Sequence, residues 1–363
     1  MKKLSKFFLL FVLGNIITLS FTFQHINNIN LFTEKPNEDT LIFKGEKHFK
    51  NMKMLTHGGQ NAEAYFSFDG KKLIFQGIRD TYKCDQIYMM NTDGSDLKLI
   101  SNGKGRTTCS YFFPDNKHIL YSSTFLAGDD CPPPPDYSHG YVWPLYDSYD
   151  IFKADVDGSN LSQLTNIIGY DAEATISPQG DKIVFSSTRN GDIDLYSMNL
   201  DGSDVKQLTN ELGYDGGAYF SYDGKSIVFR ASRPKTDDEI KEYKELLAQG
   251  LVKPTRLEIY VMSADGSNIW QVTNLGMASF APYFFKNDKR IIFSSNYGSK
   301  DGRTFELYAI DSDGNNFERI TYSGDFSAFP MFSLNGDNKF VFCSNRFHSA
   351  PHETNIFICD WVE

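Results

Sequence analysis

Residues 164–209 read LTNIIGYDAEATISPQGDKIVFSSTRNGDIDLYSMNLDGSDVKQLT. Four short strand signals lie in this stretch, each stopped by turn residues. The run Glu173–Ile176 stops at Ser177-Pro178-Gln179-Gly180, and Lys182–Ser187 stops at Asn190-Gly191. Asp194–Asn199 stops at Asp201-Gly202, and Val205–Thr209 returns. Alternating runs of four to six residues joined by tight turns predict a four-stranded antiparallel meander. One such sheet buries too little apolar surface to stand alone, so its recurrence decides the fold.

The closing pair recurs as Leu55-Thr56, Ile100-Ser101, Leu164-Thr165, Leu208-Thr209, Val272-Thr273 and Ile320-Thr321, at intervals of 45, 64, 44, 64 and 48 residues. The third turn recurs as Asp93-Gly94, Asp157-Gly158, Asp201-Gly202, Asp265-Gly266 and Asp313-Gly314. A period near 45 with one sheet per period is the signature of a propeller blade. The expectation is therefore an all-β, six-bladed β-propeller of four-stranded antiparallel blades over residues 48–363. The last unit lacks a fourth strand after Asn355–Asp360, and His48–Thr56 carries the same closing pair. An N-terminal strand completing the C-terminal blade closes the ring and removes a free sheet edge.

Net charge of −10 gives no basic footprint, which argues against a nucleic-acid partner. Lys2, Lys3 and Lys6 precede an apolar run from Phe7 to Phe23. That pattern predicts an export signal over residues 1–23, or a membrane anchor if it stays uncleaved, followed by a polar linker at 24–47. The expected location is the periplasm, with membrane contact only through this segment and a monomeric propeller beyond it.

All the long segments fall between second and third strands, so they share one face. They are Phe125–Tyr149 in blade 2, Pro234–Arg256 in blade 4, Tyr297–Thr304 in blade 5 and Phe347–Thr354 in blade 6. Loops held on a rigid scaffold carry binding more often than tight turns do. The blade 2 insertion starts CPPPPDYSHGYVWPLY from Cys131, and its His139 and Trp143 are candidate binding residues. Its aromatics either grip a ligand or plug the loop onto blades 2 and 3. In the blade 4 insertion (234–256), Thr236–Glu239 reads as a capping box, and Ile240, Tyr243, Leu246 and Leu247 as the packed stripe of a helical lid.

Aligned blades put Asn61, Thr107, Asp171, Asp215, Ser279 and Ser327 at one level of the inner strand. Glu63, Cys109, Glu173, Gly217, Ala281 and Phe329 follow two residues on. Glu63, Asp171, Glu173 and Asp215 are thus expected near the channel mouth, with Arg106 opening blade 2. Such carboxylates raise one another's pKa or recruit a cation such as calcium, and the alternative pairs them with Arg79, Arg189, Arg233 and Arg346. No cofactor and no metal ligand is assigned; His348-x3-His352 is read as chance spacing in a loop. Of the three cysteines on this face, Cys84 is expected to bridge Cys109, with Cys131 as the competing partner.

Ser177–Arg189, Tyr196–Ser203 and Leu208-Thr209 resemble the TolB-type propeller repeat, and weaker copies cover about residues 50–363. The resemblance implies a six-bladed periplasmic propeller that binds other proteins, as TolB does in the Tol–Pal envelope system. About 25 residues between the signal and the first strand leave no room for TolB's N-terminal α/β domain. Gly105–Asp115 and Gly140–Tyr146 are similar to stretches of stand-alone exported TolB-like propellers. No Gly-x-Ser-x-Gly elbow occurs, which argues against a serine peptidase. The expected function is a non-catalytic scaffold for an envelope protein or glycan, with no catalytic residue assigned. The alternative is a propeller lyase or hydrolase acting on a glycan at the acidic mouth.

Overall fold

The computed structural model describes residues 41–363, with His139 described by its backbone alone. The segment read as an export signal lies outside the described residues, as does most of the linker. Six four-stranded antiparallel sheets follow one another around a ring, each running from an inner first strand to an outer fourth. The inner strands are Gln60–Phe66, Thr107–Phe112, Asp171–Ile176, Asp215–Phe220, Ser279–Phe284 and Ser327–Phe332. Phe49–Met54 lies antiparallel to Asn355–Trp361 and completes blade 6, so the ring closes as the repeat predicts.

The Leu-Thr pair recurs because its hydroxyl closes every blade in the same way. In each blade this oxygen accepts a third-strand amide at 2.8 to 3.0 Å, those of Ile87, Ile151, Leu195, Ile259, Leu307 and Ile356. It donates in turn to the side chain of the preceding residue: Gln86, Asp150, Asp194, Glu258, Glu306 or Asn355. One hydroxyl thereby satisfies two buried polar groups at the point where the outermost strand leaves.

Burial in each blade centres on a cross-strand aromatic pair. Phe75/Tyr88, Tyr121/Phe152, Phe185/Tyr196, Phe229/Tyr260, Phe293/Tyr308 and Phe342/Phe357 face each other with ring centroids 5.6 to 6.3 Å apart. Directly opposed aromatic pairs are among the stronger units of sheet stabilisation.

Residues 41–47, the end of the stretch read as linker, pack on blade 6. Leu41 is buried, and Glu46 pairs with Arg346 at 2.9 Å, both side chains fully buried. The Arg346 guanidinium also lies over the rings of Phe43, Phe342 and Phe357.

Two insertions join on the looped face. Trp143–Pro144 of the blade 2 insertion pairs antiparallel with Leu251–Val252 of the blade 4 insertion. The helix Asp237–Leu247 starts in the expected capping box at Thr236 and Glu239. Its Leu246 packs with Val142 and Leu251, and the Tyr243 hydroxyl donates to Asp192. The insertions therefore brace each other over blades 2 to 4.

Candidate functional site

Every inner strand carries a bulge at the same place. Ladder register shifts occur between Ala62 and Tyr65 in blade 1 and at the matching positions of the other five blades. The bulge residues are Glu63, Cys109, Glu173, Gly217, Ala281 and Phe329, all with φ between 50° and 58°. An extra residue in the left-handed region re-aims its side chain. Here all six residues line the central channel.

Below the bulges the channel is shut. Tyr65, Tyr111, Tyr219 and Tyr283 are buried, with ring centroids 5.4 to 6.2 Å apart along the Tyr65–Tyr111–Tyr219–Tyr283 series, and the Tyr219 hydroxyl donates to that of Tyr65. The space at the bulge level is only about 20 Å³, roughly one water. Above it, on the looped face, a cavity of about 850 Å³ opens. Glu63, Glu173 and Arg230, shared with the small space beneath, form its floor, and Tyr141, Trp143, Phe280, Phe305, Phe326 and Phe329 line its sides, with Trp143 edge-on to Phe280 at 6.4 Å.

The floor is a built electrostatic cluster. Glu173 accepts hydrogen bonds from Ser186 Oγ (2.9 Å), Tyr214 Oη (3.1 Å), the Gly217 amide (2.9 Å) and Arg230 Nη2. Arg230 also reaches Tyr214 Oη at 2.6 Å, and its guanidinium lies over the Trp143 ring, 5.1 Å from the centroid. Glu63 differs: among the described residues it makes no ion pair, and its side-chain hydrogen-bond neighbour is the Cys109 thiol. Burial raises its carboxyl pKa to about 7; Glu173 adds to the rise and Arg230 opposes it. Burial, and then Glu63, push the Cys109 thiol well above its ordinary value.

Three of the expected binding residues therefore meet at the cavity: Glu63, Trp143 and Glu173. Asp171 and Asp215 do not. Both are buried inside their blades, where Asp171 pairs with Arg189 at 3.0 Å and Asp215 with Arg233 at 2.6 Å. Arg79 takes the matching place in blade 1, bonding Asn61 Oδ1 at 2.8 Å. The ion-pair reading describes this level, and the mouth does not gather four carboxylates. Among the described residues no group of three or more His, Cys, Asp or Glu is placed to hold a metal. Arg106 sits by Asp85 at 3.5 Å and does not line the cavity. His139 ends the short 3-10 turn Tyr137–His139 in the blade 2 insertion.

The disulfide expectation is corrected. Cys84 is bonded to Cys131, 47 residues on, and Cys109 is free. The bulge turns Cys109 into the channel beside Glu63, whereas Cys84 and Cys131 lie on the loops outside it. The bond ties the polyproline end of the insertion to blade 1.

Sequence reasoning missed Arg230, Phe280, Phe305 and Phe326, and put Phe329 at the level of Glu63 without assigning it a role. A signal for Arg230 exists in the repeat. Its ladder position is held by Gln76, Ser122, Ser186, Ser294 and Cys343 in the other blades. An arginine among small or neutral residues is the exception that marks the site. The consecutive Gly216 and Gly217 opposite it are a second exception.

Fold and site together define a closed six-bladed propeller with a blind, aromatic-walled cavity on its looped face. A family model described as the TolB β-propeller domain matches residues 143–244. An uncharacterized protein of Agrobacterium fabrum is 28% identical over 138 residues, which span 38% of this chain and 37% of that protein. TolB from Acinetobacter baumannii is similar in structure with a TM-score of 0.55 at 17% identity, over 82% of this chain and 66% of that one, just under two thirds. An oligogalacturonate lyase solved with manganese shares the fold at a TM-score of 0.51 and 12% identity, covering 86% and 93% of the two chains. The chain is a six-bladed β-propeller, similar in fold to TolB and matched by the TolB propeller model over residues 143–244.

Proposed function

We propose that this protein is an exported, periplasmic binding scaffold that holds an envelope protein or glycan at its looped face without transforming it. The observation that carries this reading is the asymmetry of the two faces. One has only tight turns, whereas the other has the insertions, braced by Trp143–Pro144 against Leu251–Val252 around an 850 Å³ cavity. That size and an apolar lining with a few convergent polar groups are typical of ligand sites. The TolB-like fold supports binding, and the Cys84–Cys131 bond suits an oxidising compartment. Among the described residues no helix is long and apolar enough to cross a membrane.

A second reading is favoured by one observation. Glu63 has a carboxyl near pKa 7 at the cavity floor, close to Arg230, and could exchange a proton with a bound glycan as a lyase or hydrolase requires.

Arrays of envelope glycans and of envelope-protein peptides, probed with the wild type, Trp143→Ala and Asp265→Asn, test the scaffold reading. Trp143→Ala should lose bound ligands, and Asp265→Asn, in a tight turn on the other face, should keep them. Equal binding by wild type and Trp143→Ala overturns it. Chain shortening or new unsaturation in the bound glycan would move the assignment to the enzyme.

A further inference from the structure

We propose that the cavity receives an organic ammonium group, its charge held by Glu63 and its apolar body seated among Phe280, Phe305, Phe326 and Phe329. This deepens the scaffold reading and rests on it, since it names the chemistry the same cavity would select.

The comparison of Glu63 with Glu173 is the first ground. Both occupy the bulge position and both face the channel, but Glu173 is met by four donors including Arg230. Glu63 has the thiol of Cys109 and no cation in contact among the described residues. Arg230 is committed elsewhere, bonded to Glu173 and Tyr214 and stacked on Trp143. With Glu63 ionised, the floor therefore holds one carboxylate more than it holds cations. The remaining cation of the lining, Arg303, is exposed at the rim.

The wall is the second ground. Phe280 meets Phe305 at 5.3 Å and Phe329 at 5.7 Å, and Phe305 meets Phe326 at 5.9 Å, all near edge-to-face. Phenylalanines offer no hydrogen bond to sugar hydroxyls. Their ring faces do attract a cation and cover apolar surface. A carboxylate at the end of such a wall matches a ligand with a charged amino end and an apolar body.

Access is the third ground. The tyrosine layer beneath makes the cavity blind, so a ligand enters by an end and does not thread through. Two sources share this chemistry: a small apolar amine, or the amino terminus of a peptide beginning with an apolar residue.

Titration calorimetry on the full protein separates them with three probes: phenethylamine, the tripeptide amide Phe-Ala-Ala with a free amino terminus, and the same peptide N-acetylated. A charge-assisted bond predicts that the free peptide binds at least about tenfold more tightly than the acetylated one. Glu63→Gln should remove that preference while a thermal melt shows the variant folded. Phenethylamine, whose alkylammonium stays protonated over this range, should bind about tenfold more tightly at pH 8 than at pH 6 as Glu63 ionises in the field of Glu173, Arg230, Asp85 and Cys109. Phenethylamine matching the free peptide identifies a small amine; the peptide binding more tightly identifies an amino terminus. Equal affinity for free and acetylated peptides, an unchanged preference in Glu63→Gln, or no binding of any probe overturns the proposal. If Trp143→Ala still loses its array ligands in that case, the scaffold reading stands and only the ammonium assignment falls.

Discussion

Arg230 fills the space that the absent side chain of Gly217 leaves. A Cβ on Gly217 would lie 2.1 Å from Arg230 Nη1, and one on Gly216 would lie 2.5 Å from Glu173 Oε2. The glycine pair is a notch that admits the Glu173–Tyr214–Arg230 cluster into blade 4. Gly217→Ala should therefore expel the guanidinium and cost about 2–4 kcal/mol, measured by urea unfolding, because it leaves a buried carboxylate poorly paired. Backbone strain alone does not explain a loss of that size, since Ala281 holds the same left-handed position in blade 5. Ala281→Gly is the control and should change stability by less than about 1 kcal/mol.

Glu63 should make stability fall as pH rises. Its carboxyl is raised from 4.5 to about 7 in the fold, so the folded state binds the proton more tightly than the unfolded chain does. Full stability is present below the unfolded value and declines between about pH 4.5 and 7. Glu63→Gln removes this penalty. It should raise stability at pH 8 by up to about 3 kcal/mol and change little at pH 4, read from melts at the two pH values. A variant less stable than wild type at pH 8 would show that the ionised carboxylate is satisfied in the fold.

Non-reducing peptide mapping should recover Cys84 linked to Cys131, with Cys109, Cys343 and Cys359 free. Closing a loop of 47 residues in the unfolded chain should contribute about 2–4 kcal/mol, lost in Cys131→Ser. A Cys84–Cys109 peptide would contradict the structure.

Glu46→Ala should lower the whole cooperative transition by about 3–5 kcal/mol in chemical denaturation, because Arg346 would be left buried without its carboxylate. Loss confined to local proteolysis near residue 41, with an unchanged midpoint, would show that the segment is an ornament on blade 6.

The sequence carried the ring. Six closing pairs, five Asp-Gly turns and a spare N-terminal strand specify blade number, strand order and closure, since each is a local hydrogen-bonding or turn requirement written into adjacent residues. Loop lengths then placed the insertions on one face, and Glu63, Trp143 and Glu173, expected as binding residues, line the cavity. Tertiary structure decided which acids face the cavity. Alternation along a strand assigns Asp171 and Glu173 to the same side, but the bulge adds a residue to every inner strand and changes that parity. Nothing local announces it, because five of the six left-handed positions hold Glu, Cys, Glu, Ala and Phe where glycine would have been the sign. The pairing of Cys84 with Cys131 and the meeting of Arg230 with Glu173 across two blades depend on which surfaces the closed ring presses together. That is a property of packing between elements far apart in the chain, and no spacing within one repeat encodes it.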